Sequence, residues 1–378
     1  QTMDKIEKYI DELLEKSTPD RPIWNIEKIL QGKKSTWNYI DGCMIKAILE
    51  MYAITKDEKY FAFADNFIDH KVFEDGSIDG YSVEELNIDN VNAGKTLFEL
   101  YDLTGKEKYR KAIDLVYSQI EQMPRTKEGN FWHKNIYPNQ VWLDGLYMCQ
   151  PFYMEYETRF NDKKNYDDIF SQFFNVVEHM RDPKTGLYYH AYDSSREMFW
   201  CDKVTGLSQN FWLRALGWYS MALLDTLDKA DASVGEPYER LKQVFVELMD
   251  AMLKYQDESG MWYQIVNFGG MDGNYLETSG SSIMAYAILK GVRFGYLPES
   301  YRQYAEKAID GICDKYLTTK DGEMHLGGIC LVGGLGGKTR RHGTYDYYMS
   351  EPVVEDDAKG VGPFLLAYTE LLRYKKMD

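Results

Sequence analysis

Five times along the chain a short polar connector ends in tyrosine and opens a helical pattern: TKDEKY at Tyr60, TGKEKY at Tyr109, NDKKNY at Tyr166, GEPY at Tyr238 and LPESY at Tyr301. A second signature follows each helix at a comparable offset: DGSI at Gly76, EGNFWH at Gly129, TGLYYH at Gly186, SGMWYQ at Gly260 and DGEMH at Gly322. Recurrence of this kind restricts the fold to repeated units that bury their faces against one another. Between the marks, MIKAILEMYAI, AGKTLFELYDL, LRALGWYSMALLDTL and IMAYAILKGV carry helical apolar spacing. The pattern predicts about twelve helices, starting near residues 3, 37, 56, 90, 106, 143, 163, 209, 236, 278, 298 and 357. The glycine of the second signature reads as a helix C-cap before a short extended segment.

Helices rich in small and apolar residues alternate with more charged ones. The first kind is apolar nearly all round and needs burial on every side, which an open solenoid does not provide. The expectation is therefore all-α: an (α/α)6 barrel of six helical hairpins, with 1–378 as a single catalytic domain. Short turns then share one face of the ring and long loops the other, making the long-loop face the functional rim. The N-termini of the inner helices also lie there, with free N–H groups that favour anions.

Composition narrows the function. Of 378 residues, 44% are hydrophobic and 28% charged, which excludes disorder, and no apolar run reaches the roughly 20 residues of a membrane span. Lys and Arg number 44 against 60 Asp and Glu; the net charge of -16 disfavours nucleic acid and requires locally placed cations for any small anionic ligand. Five scattered cysteines (Cys43, Cys149, Cys201, Cys313, Cys330) without CxxC spacing read as reduced thiols. The N-terminus is amphipathic and acidic and shows no signal-peptide pattern. The expected setting is cytoplasmic, with the periplasm as the alternative, and the expected state a monomer or weak oligomer that needs no cofactor and no metal.

In such a ring, polar residues at the starts of inner helices converge: Tyr39 and Asp41, Asp89, Asp144, Arg214 with Trp218, Glu277, and Asp356 or Asp357. The loops add His133 with Trp132 and His190 with Tyr189. Asp144 reads either as a helix cap or as an acid whose pKa apolar neighbours raise. Asp89 is more cap-like, yet two carboxylates on one rim equip a site for acid and base work on a sugar. Arg214 and Trp218 lie four apart on one helical face, suiting a carboxylate clamp and a stacking surface or, equally, a core Trp with a snorkelling Arg. His133 and His190 have no tight metal spacing.

GGLGGKTRRHG, from Gly333, suggests a phosphate loop but lacks its first glycine, because position 332 is Val. A mobile rim loop that brings Lys338, Arg340, Arg341 and His342 near an anionic ligand is the preferred reading.

FWHK (131–134), WLDGLYM (142–148), TGLYYHAYD (185–193), FWLRALGWY (211–219), GMWYQIV (260–266), LETSGS (276–281) and DAKGVGPFLLA (357–367) together resemble glycoside hydrolase family 105, the unsaturated rhamnogalacturonyl hydrolases. The resemblance runs from about residue 37 onward. It implies an (α/α)6 barrel acting on small anionic oligosaccharides that end in a 4,5-unsaturated galacturonyl residue. An Asp protonates C4, water adds at C5, and the hemiketal opens and expels the remaining saccharide. By motif, Asp144 is implied to be the acid and then the base, and Asp89 to orient water or substrate. His133, His190, Trp212, Arg214 and Trp218 are implied to line the sugar site, with Arg214 and His190 facing the uronate carboxylate, and Tyr39 joins them as a substrate-binding candidate from its place at the start of an inner helix. The alternatives are an unsaturated glucuronyl hydrolase, an epimerase on the same barrel and a saccharide-binding ring without catalysis.

Overall fold

The computed structural model describes residues 2–377. Fourteen helices dominate those residues: α1 Thr2–Glu15, α2 Ile26–Gln31, α3 Tyr39–Thr55, α4 Glu58–Asp69, α5 Lys95–Thr104, α6 Glu107–Gln122, α7 Leu143–Phe160, α8 Tyr166–Met180, α9 Leu213–Lys229, α10 Glu236–Leu253, α11 Thr278–Arg293, α12 Arg302–Tyr316, α13 Tyr345–Ser350 and α14 Ala358–Met377. The inner helices α3, α5, α7, α9, α11 and α14 follow one another round the ring, with the 3-10 segment Ile88–Gly94 that leads into α5 making the main packing on α7, and α14 returns to α3, so the ring is closed. Closure explains the all-round apolar helices: every residue of α9 from Leu213 to Leu227 is buried. The outer helices bury one stripe, as α1 does with Ile6, Tyr9, Ile10 and Leu13. This is the (α/α)6 barrel, with α1 from the start of the chain pairing with α14, where the Tyr368 hydroxyl donates to Glu7 at 2.7 Å.

The connector tyrosines tie successive outer helices together. Tyr109 of α6 donates to Asp65 of α4 at 2.6 Å, and Tyr301, just before α12, donates to Asp250 of α10 at 2.7 Å. The glycine signature has a different role from the expected C-cap. Gly76, Gly129, Gly186, Gly260 and Gly322 lie several residues past the helix ends, at φ between 75° and 106°. They make tight turns within short antiparallel excursions such as Arg125↔Phe131 and Arg181↔Tyr188.

Each turn serves the rim. The carbonyl a few residues past the glycine accepts a backbone N–H from the start of the preceding inner segment: Trp37 to Asp79, Ile88 to His133, Leu143 to His190, Leu213 to Gln264 and Thr278 to Gly328, while Ala358 donates to Trp24 and completes the circle. A six-membered belt of backbone hydrogen bonds thus fixes the rim, and the signature recurs because the belt requires it.

The inner helix expected near residue 90 is divided. A 3-10 segment spans Ile88–Gly94 before α5 begins. Its tighter winding sets Ala93 against α3 so closely that a Cβ on Gly42 would lie 2.7 Å from Ala93 Cα. Three two-stranded antiparallel sheets decorate the rim: β1 Gln140–Trp142 with β2 Ala191–Asp193, β3 Leu317–Lys320 with β4 Glu323–Leu326, and β5 Ile329–Cys330 with β6 Val353–Val354. All five cysteines are free and buried. Among the described residues no helix is long and apolar enough to cross a membrane.

Candidate active site

The β1–β2 ladder pairs Trp142 with Ala191, and Leu143 N donates to His190 O at 3.0 Å. Asp144 follows in the first turn of α7, whose N-cap is Trp142 and carries no side-chain cap bond. Asp144 is therefore not a cap. Its Oδ1 lies 3.0 Å from His190 Nε2, and among the described residues Oδ2 has no hydrogen-bond partner. His190 is fully buried, with Nδ1 2.7 Å from the Tyr348 hydroxyl. Sequence reasoning missed Tyr348, because the loop fold of α13 alone carries it to the ring.

Asp89 is not a cap either; Asn87 caps its 3-10 segment by accepting from Asp89 N. The Asp89 carboxylate lies 3.3 Å from His133 Nε2 and 3.5 Å from Lys134 Nζ. Burial favours its neutral form, but the charges of His133 and then Lys134 outweigh that and hold its pKa down at about 2. His133 lies flat on Trp142, centroids 4.7 Å apart and planes at 7°. It fits only because position 145 has no side chain, since a Cβ there would meet His133 Nδ1 at 2.8 Å.

These groups open into one cavity of about 200 Å³, lined by Glu27, Tyr39, Asp89, His133, Lys134, Tyr137, Trp142, Asp144, Met148, Val332, Gly333 and Arg341. Of the sequence candidates, Tyr39, Asp89, His133 and Asp144 share its wall, and His190 supports Asp144 from behind. Lys134, within FWHK, was legible but overlooked; Glu27 and Tyr137 gave no signal.

The remaining candidates lie elsewhere. Trp218 is a core residue, 2% exposed and stacked on Tyr147 at 5.2 Å, because one helical turn below Arg214 is already barrel interior. Arg214 and Trp212 stand one layer behind the cavity. The Arg214 guanidinium donates to Cys330 O at 2.6 Å and Ser279 Oγ at 3.1 Å and lies over the Trp212 ring. Gly333 covers that indole so closely that a Cβ would come within 2.5 Å of it. His190 likewise has both ring nitrogens engaged, so Arg214 and His190 do not face the cavity as expected for carboxylate ligands.

Asp41 holds Trp24, Ser35 and Asn38 together, Glu277 caps α11, Asp356 accepts from Tyr9 and pairs with His325, and Asp357 pairs with Lys359. Of the four basic residues in the glycine-rich loop only Arg341 reaches the cavity. Lys338 and Arg340 are exposed, and the loop is anchored by fully buried Leu335.

The chain matches the model of Glycosyl Hydrolase Family 88 over residues 7–375. A solved glycoside hydrolase from family 105 of C. acetobutylicum superposes with a TM-score of 0.89 at 44% identity, covering 97% of this chain and 98% of that one. The unsaturated rhamnogalacturonyl hydrolase YesR of Bacillus subtilis is 26% identical over 284 residues, 74% of this chain and 76% of that protein. The fold is shared with an unsaturated glucuronyl hydrolase specific for heparin, at a TM-score of 0.68 and 13% identity over 100% of this chain and 97% of that one. The chain belongs to Glycosyl Hydrolase Family 88 and, within that grouping, stands with the family 105 enzymes as an unsaturated uronyl glycoside hydrolase.

Proposed function

We propose that this enzyme hydrates the C4–C5 double bond of a terminal 4,5-unsaturated galacturonyl residue and thereby releases it from rhamnose in pectin-derived oligosaccharides. One observation carries the reading: two carboxylates in contrasting settings open into the same small cavity. Asp89 is held ionised by His133 and Lys134, whereas Asp144 has, among the described residues, the single side-chain partner His190, at Oδ1.

An enol-ether carbon is a weak base, so protonating C4 demands a positioned acid, a contribution worth roughly 10² to 10⁴ in rate. Asp144 is assigned that step, and its conjugate base then takes the proton from the water that adds at C5. Asp89, charged throughout, orients that water or a sugar hydroxyl. The C5 hemiketal opens and the glycosidic oxygen departs with the rest of the saccharide. Tyr39, Tyr137 and Trp142 offer ring faces and edges to the sugar. Lys134 and Arg341 supply positive charge toward the uronate, and Arg214 adds to the potential from the layer behind.

The whole chain, 1–378, is proposed to act as one catalytic unit in a reducing compartment, the cytoplasm, consistent with its free thiols. The galacturonyl–rhamnose preference draws support from the YesR likeness. It is tested by following ultraviolet absorbance of an unsaturated rhamnogalacturonan disaccharide beside an unsaturated chondroitin disaccharide. Faster decay of the first is expected; faster decay of the second assigns the enzyme to glycosaminoglycan products instead.

A further inference from the structure

Segment 332–343 divides two hollows. Reciprocal backbone bonds between Gly336 and Arg341, at 2.8 and 3.0 Å, close it into a tight loop. Leu335 pins it down by inserting among Trp142, Ala191, Trp200 and Cys201. Its consecutive basic residues face opposite ways. Arg341 lines the cavity, while the Arg340 guanidinium lies 4.2 Å over the Phe199 ring and His342 meets the same ring edge-on at 4.7 Å.

Beyond Phe199 lies an open groove of about 520 Å³, whose walls include Tyr189, Phe199, Trp200, Thr205, Ser208 and Gln209. Its volume falls in the roughly 300–1,000 Å³ range of small-molecule sites. Aromatic faces interleaved with hydroxyl and amide groups match the alternating C–H faces and hydroxyls of a sugar. Asp202, also on the wall, spends its carboxylate on the backbone N–H groups of Val204 and Thr205, each at 2.8 Å. The groove wall therefore carries a negative charge at Asp202, and Arg340, just outside the wall, places a positive charge against Phe199.

Resting on the hydrolase reading above, we propose that this groove is a distal saccharide subsite. A leaving oligosaccharide that emerges from the cavity crosses the loop and seats a further sugar on Phe199, with an acidic residue at the Arg340 end. Arg341 and Arg340, adjacent in sequence, then address successive parts of one anionic chain. The enzyme consequently prefers longer lyase products to disaccharides.

The test compares kcat/KM for an unsaturated disaccharide and for a tetrasaccharide of the same galacturonyl–rhamnosyl repeat, read by loss of ultraviolet absorbance. The wild type is expected to favour the tetrasaccharide by about 5- to 10-fold, the scale of one stacking contact and one charge-assisted hydrogen bond, and to do so through KM. Phe199→Ala and, separately, the surface change Arg340→Glu are each expected to lower the ratio, and the two together to bring it near one. A wild-type ratio near one, or a ratio that survives both substitutions, overturns the subsite. Absence of turnover with either substrate overturns the hydrolase reading and the subsite with it.

Discussion

His190 Nε2 stands 3.0 Å from Asp144 Oδ1, and its orientation is fixed from the other side by the Tyr348 hydroxyl, 2.7 Å from Nδ1. A neutral imidazole in this position accommodates both states of the carboxyl group. With Asp144 ionised, Nε2–H donates to it and Tyr348 donates to Nδ1; with Asp144 protonated, the carboxyl donates to Nε2 and Nδ1–H donates to the phenol oxygen. A residue that first gives and then takes a proton benefits from a partner that pairs with it either way.

Tyr348→Phe removes the outer bond of this relay and leaves the cavity walls unchanged. One hydrogen bond acting on the reacting group predicts a fall in kcat of about 3- to 10-fold, with KM little moved. Steady-state kinetics decides; an unchanged kcat would remove Tyr348 from the mechanism.

Asp89 owes its low pKa, about 2, to His133 and Lys134 working against burial. A depressed carboxylate pKa means that Asp89 is charged across the whole working range, so wild-type activity shows no acidic limb from this group above about pH 4. Lys134→Ala removes one of the two partners that lower it, and the carboxylate pKa rises. The acidic limb of the kcat/KM profile is then expected to move upward. A profile superimposable on wild type argues against the pairing.

Gly145→Ala tests how closely His133 is seated. The added Cβ would fall 2.8 Å from His133 Nδ1 and 3.3 Å from Ile88 Cγ2. Overpacking of this kind costs about 1–3 kcal/mol, and displacing His133 disturbs its contact with Asp89. Both the unfolding midpoint and kcat are expected to drop; a variant with wild-type values for both would show that His133 gives way freely.

The ring was legible because its requirements are written periodically. The connector tyrosines and the turn glycines recur since each hairpin makes the same contacts with the next, and a residue shortly past each glycine supplies one carbonyl of the rim belt. Asp144 was legible as a cavity residue because the repeat places it at the start of an inner helix on the long-loop rim. Tyr348 was not, since a long loop delivers it and its position depends on closure; for the basic loop the sequence offered four residues but not which of them, Arg341, reaches the cavity. Trp218 misled for a related reason: a four-residue spacing fixes the helix face it shares with Arg214 but not the depth, and one turn down the barrel is packed core. Arg214 is placed by segment 330–333, whose path over the barrel mouth no local pattern announces.

Lys95 provides a pH test of the barrel interior. Its ammonium group lies over the Tyr147 ring at 3.3 Å and donates to Tyr147 O. Burial brings its pKa down from 10.5 to about 7. Below pH 7 both folded and unfolded chains carry this charge, and the folded state bears the full cost of burying it. Between pH 7 and 10.5 the unfolded chain retains a proton that the folded one has lost, so this group's contribution makes stability rise with pH. Lys95→Met is expected to flatten that rise and to stabilise the protein most below pH 7. Urea midpoints at pH 6 and pH 9 measure it; parallel changes in wild type and variant would contradict the assignment.

The most direct test of hydration is proton NMR of an unsaturated rhamnogalacturonan disaccharide during turnover. With wild type the vinylic H4 resonance is expected to vanish at the rate at which free rhamnose appears, and with folded Asp144→Asn neither change should occur within a range of about 10² in rate. Release of rhamnose while the H4 resonance persists would mean direct cleavage of the glycosidic bond and would contradict the account.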